Sequence, residues 1–135
     1  MKDSMQDDTS ARSSIPPLLR SANATVNGTG VDMTGTGNYF RAAMLLVHAG
    51  AITDGTHTFV LQESDDNSSF TNVAAADLQG TLTAVTTANA NSVQRQSYLG
   101  SKRYLRASVT TASATTGGNF AAVILMSSGS GQPVT

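Results

Sequence analysis

The chain has 135 residues, of which 39% are hydrophobic and 5% aromatic, which fits one domain with an aliphatic core. The formal net charge of -1 excludes the electrostatic footprint of a nucleic-acid or anionic-membrane binder, and the absence of cysteine excludes a disulfide framework, a thiolate metal site and a cysteine nucleophile. Only 13% of the residues are charged, while serine and threonine supply about a quarter of the chain and suit the solvent-facing positions of strands and turns, so the composition is typical of an all-β protein.

Neither a signal peptide nor a membrane span is predicted. The N-terminus carries Asp3, Asp7 and Asp8 and lacks the apolar stretch of a signal peptide. The longest apolar runs, residues 42–47 and 120–126, are far shorter than the roughly 20 residues that cross a bilayer. We therefore expect the protein to stay in the cytosol of the producing cell, or to leave it as part of a larger assembly.

The first 37 residues are predicted to form an extended N-terminal arm. A polar stretch is followed by the short apolar segment Ile15-Pro16-Pro17-Leu18-Leu19, whose two prolines forbid a helix and favour an extended path. The arm contains too few apolar groups to offset its ordering entropy, so we expect it to be mobile in the free protein. Its apolar segment could then dock on a neighbouring subunit, with a disordered tail as the alternative.

Residues 38–127 are predicted to form the folded domain. Short apolar runs alternate with Gly, Asn, Asp and Ser turns, and no long amphipathic helix interrupts them. The predicted strands are 39–48, 57–63, 70–73, 81–87, 104–109 and 120–127, with one helical turn at 74–78. This pattern favours a single antiparallel β-sandwich or barrel-like domain. We expect its core to contain Phe59, Leu61, Leu105, Val109, Val123 and Leu125, and residues 128–135 to form a flexible tail.

Candidate sites for chemistry are few. The turn at Asp65-Asp66 holds clustered carboxylates without the spacing of a calcium loop, so local backbone hydrogen bonds are favoured over a bound ion. His48 and His57 could approach each other if their strands pair, with Asp54 as a third ligand. Two histidines are weak evidence for zinc, and no serine lies in a Gly-x-Ser-x-Gly elbow. We expect no catalytic residue, no metal, no cofactor and no enzymatic activity.

Half of the eight basic residues lie between Arg95 and Arg106. Four positive charges in a nearly neutral chain cannot supply the counterion release on which nucleic-acid binding depends. Lys102, Arg103 and Arg106 are therefore predicted to contact protein, and we expect no nucleic-acid or membrane partner.

Three segments together resemble a family of small tailed-phage and prophage virion proteins. They are Ile52–Phe59, Leu61–Phe70 and Tyr98–Arg106 followed by Thr116-Gly117-Gly118. The resemblance covers residues 38–127 and implies a structural component of the virion with no catalytic residues. Within that family the chain looks most like a capsid decoration, or cement, protein, which would bind the major capsid protein on the capsid surface and stabilise the head, and the resemblance leaves the head-to-tail junction and the tail open as other positions. The arm before residue 38 lies outside the resemblance.

Three classes of function compete. A decoration protein would be a homo-oligomeric β domain bound to the major capsid protein, with Ile15, Pro16, Pro17, Leu18, Leu19, Lys102, Arg103 and Arg106 as candidate contacts. A fibre or spike module would bind a receptor or glycan, which the low aromatic content disfavours. A hydrolase would need a catalytic constellation that the sequence does not offer. A head-tail connector or tail component is the remaining alternative, and the copy number per particle discriminates it from decoration.

Overall fold

Two antiparallel sheets packed face to face make up the fold, in a computed structural model that describes residues 4–34 and 39–129. Sheet A has the strand order β1-β10-β4-β8-β7, and sheet B has the order β2-β9-β5-β6, with β3 also paired to β9. The strands are β1 Thr9–Arg20, β2 Thr25–Asn27, β3 Val31–Asp32, β4 Phe40–Ile52, β5 Thr56–Ser64, β6 Thr71–Asn72, β7 Leu78–Gln79, β8 Val93–Tyr98, β9 Tyr104–Ala112 and β10 Gly118–Gly129. The prediction of an all-β sandwich is confirmed.

Three single-turn helices accompany the strands. The α-helix α1 spans Met5–Asp8, and two 3₁₀ helices span Ala75–Asp77 and Thr87–Asn89. The first 3₁₀ helix lies where the sequence predicts a helical turn. The predicted strand at 81–87 is wrong, because that segment makes a single bridge from Val85 to His57. Strand β8, with the polar sequence VQRQSY, was not predicted.

The core lies between the sheets and is largely aliphatic, and Phe120 packs against the rings of Phe59 and His57 within it. The ring of Phe120 from sheet A meets Phe59 of sheet B edge to face at 5.2 Å between centroids, and the His57 ring lies 4.9 Å away. Leu61, Leu105 and Val109 are buried as predicted. Alternation along β9 produces this result, since every second residue of an antiparallel strand faces the opposite sheet.

Val123 and Leu125 are not in the core, and their prediction as core residues is wrong. In β10 the buried residues are Phe120, Ala122, Ile124 and Met126, and the residues between them face outward with partial exposure. Every position from 120 to 126 is apolar, so the sequence pattern does not show which alternate residues of this strand face the core. When the strand packs against sheet B, the set of alternate residues that contains the large Phe120 side chain faces inward.

The N-terminal segment is part of the sandwich, so the prediction of an arm outside the domain is wrong for its described residues. Strand β1 pairs antiparallel with β10 from Thr9↔Ser127 to Arg20↔Gly118. The register shifts at Ser14 and again between Ile15 and Leu18, and the second irregularity contains Pro16 and Pro17, since prolines are tolerated at bulges of a sheet. The physical reason is the burial of Ile15, whose side chain is fully buried in the core. Removing this apolar side chain from water stabilises the fold and so favours the docked position of β1.

Ser14 fastens β1 to the opposite sheet. Its hydroxyl donates to the Thr29 carbonyl oxygen and accepts from the Ala107 N–H, both at 2.9 Å. This approach leaves no room at Gly28, where a methyl group would lie 2.8 Å from the Ala107 carbonyl oxygen. The buried serine is therefore satisfied on both sides, and glycine is required opposite it.

Both predicted boundaries of the domain fall partly outside the described residues. The boundary at residues 37 and 38 lies in the segment 35–38, and residues 130–135 of the predicted tail also lie outside. Strand β10 continues to Gly129, so residues 128 and 129 belong to a strand and not to the predicted tail. No helix in residues 4–34 and 39–129 is long and apolar enough to cross a membrane.

Candidate protein-interaction surface

The basic residues predicted to contact a partner make contacts within the chain. Arg103 donates to both carboxylate oxygens of Asp32, at 3.0 and 2.9 Å, and this contact lowers the Asp32 pKa to about 2. Lys102 forms an ion pair with Asp65. These pairs join loops of the sandwich at its surface, so a partner would have to compete with them.

Arg106 is also held internally. Its guanidinium stacks on the Phe70 ring at 4.1 Å and its Nε donates to Gln62 at 2.8 Å. Burial lowers the pKa of this side chain. The cation–π contact links β9 to the segment that leads into β6, so Arg106 has a structural role.

The apolar segment at Ile15 divides between core and surface. Ile15 is buried, whereas Leu18 and Leu19 are 53% and 60% exposed. The two exposed leucines lie beyond Pro16 and Pro17 at the end of β1. They stay candidate contacts for a partner, and Ile15 does not.

The clustered carboxylates and the histidines do not form a shared site. Asp66 accepts hydrogen bonds from the N–H groups of Ser68 and Ser69, at 2.9 and 2.8 Å, which confirms the local turn interpretation. His48 is exposed in sheet A and His57 is buried in sheet B, so their strands do not pair. Within the described ranges, no group of three or more potential ligands could hold a metal ion.

His57 instead belongs to the core. One ring nitrogen lies 2.8 Å from the Thr111 hydroxyl and the other lies 3.2 Å from the Asp54 carbonyl oxygen. Because a carbonyl can only accept, the nitrogen facing Asp54 carries the proton. Both polar atoms are thus satisfied, as a buried side chain requires.

The outward face of sheet A is apolar at its centre. The outward positions in the middle of β4 and β10 carry five apolar side chains, which we call the outer stripe: Met44, Leu46, Ala121, Val123 and Leu125. All five are partly exposed. An antiparallel sheet that faces water normally alternates apolar-in with polar-out, so this stripe is a candidate interaction surface.

A groove of about 500 Å³ crosses one end of the outer stripe. Met44 and Leu125 line it together with Met5 of α1 and Leu99, whose side chains are 73% and 58% exposed. A neighbouring hollow contains Arg95 and Gln79 next to Met44. The surface therefore combines exposed apolar groups with a guanidinium at its margin.

Sequence reasoning missed this surface although it contained the signal. The apolarity of every position from 120 to 126 does not show which face of the strand stays uncovered, and in the described residues only the inner face of β10 is covered by a sheet. The uncovered face is the finding that only the structure supplies.

Comparison with known proteins shows the fold. No family model matches the chain, and no curated protein does. The solved structure of PBSX exported protein XepA aligns with 93% of this chain and 39% of XepA, at a TM-score of 0.60 and 20% identity. That of SPBc2 prophage-derived protein YomS aligns with 90% of this chain and 94% of YomS, at a TM-score of 0.43 and 13% identity. The likeness to XepA establishes a shared fold, in which this chain spans about two fifths of XepA's length.

Proposed function

We propose that this chain is a structural protein of a phage virion that decorates the capsid by binding the major capsid protein shell, without catalysis. The observation that carries the proposal is the outer stripe, an apolar surface on a folded β-sandwich. Apolar surface left on the outside of a stable domain is typical of a protein that completes its burial in an assembly.

Two further lines support a phage setting. Residues 38–127 resemble small virion proteins of tailed phages in three segments. The fold is shared with XepA, a prophage-derived protein, over nearly the whole of this chain. The resemblance and the shared fold support a phage-related protein. The outer stripe is the surface that we propose contacts the capsid.

The chemistry of the surface defines what the capsid must offer. Opposite Met44 and Leu125 in the groove, the capsid protein must present apolar side chains. Opposite Arg95 at the margin, it must present a carboxylate or a carbonyl oxygen. Burial of the apolar groups would provide affinity, and the charged pair would fix orientation. Leu18 and Leu19 at the end of β1 are secondary candidates for the same shell.

Binding to capsids that lack the protein tests the proposal. Purified wild-type chain is mixed with such particles, and bound copies are counted after sedimentation. We expect many copies per particle and a rise in the temperature at which the heads release DNA. Leu125→Asp should reduce occupancy at least tenfold with an unchanged far-UV circular dichroism spectrum. The matched control, Thr58→Asp on the exposed outer face of sheet B, should bind like wild type.

Two results would contradict the proposal. Absence of wild-type binding to the shell removes decoration altogether. Occupancy limited to a single small ring at one vertex instead indicates the alternative of a head-tail connector, since connectors are closed rings of few copies.

A further inference from the structure

The outer face of sheet B carries a row of polar side chains that are hydrogen-bonded to one another. Gln62 of β5 pairs with Arg106 of β9 on one side and with Asn72 of β6 on the other. Arg106 Nε donates to Gln62 Oε1 at 2.8 Å, and Gln62 Nε2 donates to Asn72 Oδ1 at 2.9 Å. We call these three residues the polar row.

The arginine fixes the direction of each hydrogen bond in the polar row. A guanidinium can only donate, so the side-chain oxygen of Gln62 must face Arg106 and its NH2 group must face Asn72. The side-chain oxygen of Asn72 therefore faces Gln62. Among the described residues, the Asn72 NH2 group has no acceptor. The polar row thus uses its oxygens internally and presents hydrogen-bond donors to the outside.

Arg106 combines a fixed position with an uncompensated charge. Its guanidinium lies 4.1 Å from the centre of the Phe70 ring and is held by Gln62 through Nε, so the side chain is restrained on two sides. In the part of the chain that the structure describes, both ion pairs use other cations, and no carboxylate contacts Arg106. The two terminal nitrogens of this half-buried arginine are therefore available to an anion.

A further donor lies on the opposite side of Arg106. Ser108 follows Arg106 by two residues in β9 and so points to the same face. Its hydroxyl donates to Asn27 Oδ1 of β2 at 2.9 Å. Within the described ranges, the Asn27 NH2 group is left without an acceptor. Donors from two amides thus flank the guanidinium.

The composition of this face favours a saccharide over a protein as its partner. Interfaces between proteins have an apolar and aromatic centre. Here the apolar groups are Val60 and the Phe70 ring, and Arg106 stacks on that ring. The other outward side chains beside the polar row carry hydroxyl groups: Thr25, Thr58, Ser108 and Thr110. A partner rich in oxygen atoms matches such a surface.

We propose that the outer face of sheet B binds an acidic polysaccharide through one of its carboxylates. The two terminal nitrogens of Arg106 form parallel hydrogen bonds to the carboxylate, a geometry that the planar guanidinium provides. Asn72 and Asn27 donate to neighbouring sugar oxygens. Because the internal hydrogen bonds position these side chains before binding, little of their freedom is lost on association.

The proposed saccharide face is independent of the outer stripe. The two surfaces lie on opposite sides of the sandwich, one on sheet B and one on sheet A. A polysaccharide on sheet B therefore leaves the outer stripe uncovered. The inference goes beyond capsid decoration and does not rest on it.

Binding of a uronic-acid polymer to the full chain tests the proposal. The probe is polygalacturonate, with uncharged dextran for comparison, and titration calorimetry measures binding. We expect saturable binding of polygalacturonate and none of dextran. Arg106→Gln should weaken binding about tenfold or more, because it removes the charged donor. The matched control Arg41→Gln, at an exposed position of β4, removes the same charge and should bind like wild type.

A second variant separates recognition from folding. Asn72→Asp still accepts the hydrogen bond from Gln62, so the position of Arg106 is retained, but the outward donor becomes a carboxylate oxygen that repels the ligand. We expect loss of binding with an unchanged thermal transition. Asn119→Asp, the same substitution at an exposed position of β10, should bind like wild type.

Four results would overturn the proposal. The first is failure of the wild-type chain to bind polygalacturonate, and the second is equal binding by wild type and Arg106→Gln. The third is an equal loss in Arg106→Gln and Arg41→Gln, which indicates an effect of net charge alone. The fourth is tighter binding of polyglutamate or of polyphosphate, which indicates an acidic protein or a phosphate polymer as the partner.

Discussion

The carboxylate of Asp54 holds two loops of the sandwich together. Asp54 accepts hydrogen bonds from the N–H groups of Thr115, Thr116 and Gly117, at 3.1, 3.1 and 2.6 Å to one oxygen. These bonds tie the loop after β4 to the turn that leads into β10. The Gly117 N–H, followed by the Thr116 N–H, lowers the pKa of Asp54, because hydrogen bonds to the charged form favour it. The Asp54 side chain thereby joins two loops that lie beyond the ends of the paired strands.

The lowered pKa values predict acid sensitivity. A carboxyl group whose pKa falls on folding stabilises the protein above its ordinary pKa of 3.8, and this stabilisation is lost as the pH falls through the folded value. For Asp32 and Asp66 the folded value is about 2. We therefore expect the unfolding free energy to fall between about pH 4 and pH 2, as measured by urea denaturation at a series of pH values.

Substitution of Asp54 tests how much of the pH dependence of the unfolding free energy comes from this residue. Asp54→Asn should lower the stability at pH 7 and flatten the acid dependence, because the amide cannot lose a charge. Thr53→Ser, at the exposed position next to Asp54, changes no ionisable group, serves as the control and should retain the wild-type slope. An Asp54→Asn profile parallel to wild type at all pH values would contradict the assignment.

Among the strands, β10 decides which surfaces are buried. It lies between β1 and β4, and its inward residues meet Phe59 and His57 of sheet B. Its outward residues belong to the outer stripe. The same strand thus builds the core and exposes an apolar face, so truncations on its two sides should have different consequences.

A pair of truncations in β10 tests this division. Ile124→Ala removes a fully buried side chain of β10 and should cost about 2 to 5 kcal/mol of unfolding free energy, from lost burial and the cavity left behind. Leu125→Ala removes a partly exposed side chain and should cost less than half as much. Chemical denaturation monitored by circular dichroism measures both values. Equal costs would place Leu125 in the core after all.

The complete sandwich depends on its first strand. β1 covers one edge of β10, supplies Ile15 to the core, and reaches sheet B through Ser14. The fold closes when residues far apart in sequence meet, as Ser14 and Ala107 do. The N-terminal segment is therefore a structural element of the domain.

Deletion of the first strand should abolish the native fold. A chain lacking residues 1–20 loses Ile15 and leaves the long strand β10 with an unpaired edge, which promotes aggregation. We expect insoluble protein or loss of a cooperative thermal transition. The control deletion of residues 1–8 removes α1 and should retain the transition. A cooperative transition near the wild-type temperature after the longer deletion would show that β1 is dispensable.

The sequence by itself determined the fold class and most of the strands. Alternation places Leu61, Leu105 and Val109 correctly, and Asp and Asn residues mark the turn after β5, because period-2 burial and local turn chemistry are encoded over a few residues. These inferences need no knowledge of what lies across the sandwich.

Only the tertiary structure decided the phase of β10, the place of β1 and the nature of the surface. An all-apolar strand has no preferred face until another sheet covers one side, and a segment with a single buried anchor such as Ile15 is ordered only where a core receives it. The basic residues found internal partners for the same reason, since Asp32 precedes Arg103 by 71 residues and meets it only after folding. The outer stripe is what the packing left uncovered, and no local pattern in the sequence specifies which surface that is.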